Sequence, residues 1–154
     1  MEKRLIETWQ IHNRINLYLL DEIASDECLA DLPPSKGRNV GDQTAHMHNV
    51  RLMWIKEAAP ELMDDLQKIE RGEFRNRAYL KEHLIRSGEK VELMLKKAID
   101  EDRLKGFKPH PIAYLGYIIS QESHHRGQIV LTLKMAGHSI SKKAGFGLWQ
   151  WGTR

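Results

Sequence analysis

Four of the eight histidines fall in two close pairs, His46 with His48 and His124 with His125. Neutral imidazole is a common ligand for zinc, nickel and similar ions, and it also moves protons near neutrality. Both pairs lie in stretches with helical periodicity. On a helix, neighbours one or two positions apart diverge in direction, so each pair offers at most one ring to a given interior line. His125 lines up with Ile118, Gln121, Glu122, Ile129 and Thr132, whereas His124 lines up with Tyr117, Ser120, Gln128 and Leu131. The more apolar line favours His125 as the inward ring. For the other pair, His46 continues into Val50, Met53 and Trp54, and His48 into Leu52 and Ile55. Spacing leaves that choice open. Two helices that each turn a histidine inward would make a site for a divalent ion with room for water or substrate. The plainer alternative is a pair of histidines hydrogen-bonded within the core.

The elements that must carry these residues are four long helices. The first is expected over 3–24, where Leu5, Trp9, His12, Asn16, Leu19 and Ile23 recur at three- and four-residue steps. A connection with Pro33, Pro34 and Gly37 follows. The second helix is expected over 40–58 with Asn39 as N-cap, ended by Pro60 and followed by a short helical turn over 61–69. The third spans 77–101, capped by Asn76, with Gly88 inside it at a cost of about 1 kcal/mol relative to alanine. After the loop 105–110, Pro111 fits the first position of a fourth helix that runs to 136, with Gly137 as its stop. His12 and Asn16 would border the pocket or bond between helices. Arg126 and Gln128 would orient a substrate or tie helix four to its neighbours. His83 and His138 read as surface residues and His110 as a loop residue. The tail 138–154 carries Phe146, Leu148, Trp149 and Trp151. Such a patch needs cover from the bundle or from a second subunit.

Length and composition fit one domain over 1–154. Its 154 residues, 41% hydrophobic and 29% charged, describe an ordinary globule. No apolar run is long enough to cross a membrane. The amino-terminal stretch turns polar at Glu7, Gln10 and Asn13, unlike a signal peptide, and we expect a cytoplasmic protein. A net charge of +3, dispersed along the chain, gives no reason to expect a nucleic-acid partner. The one cysteine, Cys28, excludes an intramolecular disulfide and reads as a spectator thiol.

Three runs carry a resemblance. Ala-His-Met-His-Asn-Val-Arg-Leu-Met-Trp at 45–54 resembles the second helix of DinB/YfiT-like proteins, in which a histidine precedes a tryptophan by about two turns, as His46 precedes Trp54. Gln-Glu-Ser-His-His-Arg-Gly-Gln-Ile at 121–129 resembles that family's fourth-helix signature, His-x-x-His-His-Arg-Gly-Gln-Ile. Phe-Gly-Leu-Trp-Gln-Trp-Gly at 146–152 is similar to one branch of the family. The resemblance implies an all-α, four-helix bundle of the DinB/YfiT-like type with an ordered aromatic tail, frequently a homodimer. It further implies a divalent metal, nickel or zinc, held by His46, Gln121 and His125, and an activity such as thiol-dependent transfer or hydrolysis on a small molecule. Gln121 departs from the pattern, because the signature has histidine there. An amide oxygen is a harder and weaker ligand for these metals. The implied site is then weakened, rescued by His48, His124 or Glu122, or lost. The last outcome leaves a metal-free small-molecule-binding protein or a dimeric interaction protein.

Overall fold

A computed structural model describes residues 1–154. The long helices are α1 (Glu2–Glu22), α2 (Val40–Ala58), α3 (Arg77–Asp100) and α4 (Pro111–Met135), followed by a short α5 (Lys142–Gly147). There is no strand. α3 and α4 each pack against both α1 and α2, giving a helical bundle. No helix is long and apolar enough to cross a membrane.

The helix ends follow the local chemistry. The Asn39 side chain accepts from Asp42 N, and the Asn76 side chain accepts from Tyr79 N, both at 2.8 Å. His110 is more than a loop residue: it caps α4, its Nδ1 accepting from Ala113 N at 3.1 Å, directly before Pro111. Gly137, with φ +84°, makes the left-handed step that stops α4, and His138 N closes the turn on Leu133 O at 2.8 Å. Gly88 is explained by close approach: a Cβ there would lie 2.4 Å from the Asn13 amide nitrogen, where α1 and α3 meet.

Two connections differ from expectation. The α1–α2 connection contains a 3-10 turn over Asp26–Ala30. The helical turn expected over 61–69 shrinks to Pro60–Leu62. Side chains of α2 satisfy the following backbone in place of a helical ladder. His48 Nε2 donates to Gln67 O at 2.8 Å, Asn49 bonds both N and O of Ile69, and Asp42 accepts from Gly72 N at 2.7 Å.

The core is two apolar clusters separated by a polar layer. One cluster gathers Ile6, Trp9, Leu52, Ile55, Met94, Leu95, Tyr114 and Ile118. The other gathers Leu19, Leu20, Leu29, Met47, Leu80, Leu84, Ile129 and Leu133. Between them, at mid-height on the four helices, lie buried His12, Asn16, Arg51, Ser87 and Glu122. The tail divides its aromatics. Gly147 sits on the Tyr18 ring, Arg154 stacks over the same ring at 3.7 Å, and half-buried Trp151 lies near His12. Phe146 and Trp149 stay 62% and 82% exposed.

Candidate functional site on α2 and α4

The histidines that meet across α2 and α4 are His46 and His125. His46 on α2 and His125 on α4 are both half-buried, and their rings meet edge to face with centroids 4.8 Å apart. Gln121 lies one turn before His125 on α4, and its Oε1 is buried without a hydrogen-bond partner. The structure thus brings His46 and His125 together and leaves a free carbonyl oxygen on the same helix face. His124 is exposed, its ring 5.3 Å from that of His125. His48 turns the other way: it is fully buried, bonded to Gln67 O and stacked on His83 at 5.0 Å. His83, expected at the surface, is half-buried between His48 and Tyr79.

Electrostatics keep both site histidines neutral. Burial lowers the pKa of His125 to about 4, helped by the neighbouring His46 and His124. Burial, then the charge of Arg38, lowers that of His46. Neutral imidazole is the form that binds a metal. The Nδ1 of His125 is 2.5 Å from the amide of Gln43, which also bonds the amide of Gln128. Rotating both amides exchanges oxygen for nitrogen without moving the chain. Gln43 can then accept from Nδ1–H and leave Nε2 of His125 as the free donor, the arrangement by which a second partner orients a ligating histidine.

Beside His46 opens a cleft of about 490 Å³ lined by Arg38, Asp42, Asn49, Lys68, Glu70 and Arg71 among others. Glu70 is paired with Lys68, and Asp42 is engaged by Gly72, whereas Arg38 and Arg71 make no ion pair.

Glu122, next to Gln121, belongs to a different environment. Arg51 binds it with Nε to Oε1 at 2.6 Å and Nη2 to Oε2 at 2.8 Å, while His12 and Asn16 each contact Oε2 at 2.8 Å. Arg51 also donates to Leu84 O at 2.9 Å and lies over the Trp9 ring. Arg126 reaches Asn16 Oδ1 at 2.7 Å. Burial pushes the Glu122 carboxyl up, but the Arg51 charge and the bonds from Arg51 and His12 prevail and hold it at about 2. The carboxylate is consumed by this network, which removes it as a substitute ligand or proton carrier for the His46–His125 pair. Of the two roles open to His12 and Asn16, bordering the pocket or bonding between helices, the structure gives the second. Arg51 escaped notice in the sequence. Its signal was an arginine between two stripe positions of α2, with Glu122 on the inward line of α4.

An all-helical bundle with paired histidines facing each other across two of its helices is the architecture that the motif runs at 45–54 and 121–129 implied. The family model described as the DinB family matches residues 1–143, and the chain belongs to that family. No curated protein and no solved structure matches the chain.

Proposed function

We propose that this DinB-family chain is a cytoplasmic metal-dependent enzyme acting on a small molecule, as a thiol-using transferase or a hydrolase. Its divalent ion, nickel or zinc, is held by His46, His125 and Gln121. The observation that carries this reading is the meeting of the two neutral imidazoles at 4.8 Å, with the unpartnered Gln121 oxygen one turn away. Two nitrogens and an oxygen are a donor set that fits these metals, and an open fourth position suits catalysis. The amide oxygen makes the affinity lower than three imidazoles would give. Bound there, the ion supplies Lewis acidity that lowers the pKa of a thiol or water.

The chain's own residues supply the rest. Arg38 and Arg71, free of ion pairs, attract an anionic group of the substrate to the cleft beside His46. Exposed His124, against the His125 ring, gives or takes a proton at the open side. Exposed Phe146 and Trp149, together with Val130 and Ile140, line an apolar surface cavity that we assign to a homodimer contact. Light scattering at micromolar concentration should give the dimer mass, and the monomer mass would refute that assignment.

A second reading, a metal-free binding protein, is favoured by the amide in place of the signature histidine. Calorimetric titration of untagged protein with nickel and with zinc separates the two. The metal reading expects saturable binding that His46→Ala and His125→Ala each reduce strongly. Equal heats for the natural chain and both variants would leave the metal-free reading standing.

A further inference from the structure

A second group of ligating side chains lies away from this cleft, where the α1–α2 connection meets the exit of α4. Sγ of Cys28, a carboxylate oxygen of Asp31 and a ring nitrogen of His138 all lie within 4.8 Å of one another. Cys28 is buried, the Asp31 side chain is 11% exposed, and His138 is half exposed. His138 Nδ1 is 2.7 Å from Asp31 Oδ2, and Ser25 Oγ is 3.5 Å from Cys28 Sγ. The thiol and the imidazole belong to no part of the proposed catalytic cleft. They are donor types that zinc prefers, brought together from opposite ends of the sequence.

The backbone fixes all three. Cys28 N donates to Ser25 O at 3.2 Å, and Asp31 N donates to Cys28 O at 3.1 Å. Asp31 O in turn accepts from Val40 N at 3.1 Å, at the start of α2. His138 N is bonded to Leu133 O at 2.8 Å through the Gly137 turn. Donors on a bonded backbone lose little ordering entropy when an ion arrives.

We propose that Cys28, Asp31 and His138 form a zinc-type metal site with three protein ligands and a fourth position open towards solvent. Thiolate with imidazole selects zinc and its analogues over magnesium or calcium. Bond lengths of about 2.0–2.3 Å space the donors of a tetrahedral shell roughly 3.3–3.8 Å apart. The thiolate therefore closes in by about an ångström, while Asp31 and His138 spread slightly as the ion replaces the proton they share. The half-exposed His138 ring has room to do so. Binding releases the thiol proton to solvent and leaves the ring proton of the neutral His138 on Nε2, with no change of oxidation state. The bound ion staples the α1–α2 connection to the end of α4, behind the segment that carries Arg38.

Because Cys28 is the sole cysteine, a sulfur-to-cobalt charge-transfer band in the near ultraviolet can come from no other residue. The test is titration of the full chain with cobalt(II), followed by competition with zinc, in a phosphine reductant. The natural chain should develop the band and lose it to zinc. His46→Ala/His125→Ala should keep it, which separates this site from the proposed catalytic one. Cys28→Ser should lack it. Asp31→Asn and His138→Ala, both at positions with solvent access, should weaken the cobalt affinity roughly tenfold or more. Circular dichroism confirms that each variant is folded. Absence of the band from folded natural protein overturns the proposal, and so does a band whose affinity is unchanged in both Asp31→Asn and His138→Ala.

Discussion

Gln121 and Glu122 are neighbours on α4, yet they serve opposite kinds of site. Glu122 sits at the centre of the bundle with both carboxylate oxygens bonded to Arg51, His12 and Asn16. Gln121, a hundred degrees around the same helix, keeps a buried oxygen without a partner one turn before His125, whose ring meets that of His46. The first region ties four helices together through the Glu122 carboxylate, and it leaves only Nδ1 of His12 without a hydrogen-bond partner. The second holds donors in reserve. A buried carboxylate whose oxygens are all bonded by the chain is structural, whereas an unpartnered amide oxygen one turn from a neutral imidazole is open to a ligand.

The sharpest way to break the comparison is to unpair the first region. Arg51→Ala leaves the Glu122 charge buried and uncompensated, and should cost about 3–5 kcal/mol in urea unfolding. Arg51→Met/Glu122→Leu removes both charges and should recover much of that loss. His46→Ala and His125→Ala, in the half-exposed second region, should each change stability by less than about 1 kcal/mol. A loss at His125 comparable to that at Arg51 would erase the distinction.

Acid titration sharpens it next. Burial lowers the pKa of His48 to about 4, below its ordinary 6.5. The unfolded chain therefore binds the extra proton first, and stability present in full above pH 6.5 is lost as pH falls towards 4. The loss from His48 is at most about 3 kcal/mol. Glu122, ordinarily near 4.5 and held at about 2, adds a second loss below pH 4.5 that continues to about pH 2. Urea midpoints between pH 7.5 and pH 3 should fall in this sense, and His48→Gln should flatten the upper step. Midpoints that rise on acidification would contradict the neutral, buried His48.

At the cleft, Gln121→His restores a third imidazole and should raise nickel or zinc affinity by roughly tenfold or more in calorimetry. Equal affinity would remove position 121 from the metal shell. The smallest effect belongs to His124→Ala, which should leave thermal stability within about 0.5 kcal/mol and metal affinity unchanged. A tenfold loss of affinity would make His124 a ligand.

Much of this arrangement was legible in the residue order. The four helices, the Asn39 and Asn76 caps, the Pro111 start and the Gly137 stop follow from periodicity and local hydrogen-bonding chemistry, which act over a few positions. The inward turn of His125 followed from its apolar line. The choice between His46 and His48 did not, because both lines on α2 are apolar; it was settled by Gln67, whose carbonyl captures His48 from a loop. That same loop defeated the helical turn expected over 61–69, since the partners that unwind it lie on α2. Arg51 was hidden for a related reason: a buried arginine is readable only with its carboxylate, which comes from a helix far along the chain. The closeness of Asp31 and His138 to Cys28 was not legible either, because the approach of His138 depends on how α4 ends.

The His46–His125 face, and not the buried polar layer, is the proposed place for a metal. Imidazole nitrogen-15 NMR of the Cys28→Ser variant at pH 7.5, recorded while zinc is added, reads every histidine at once. The ring resonances of His46 and His125 should shift together, while those of His12 and His48 stay where they are. Zinc-dependent shifts at His12 or His48, or none at His46 and His125, would contradict the account.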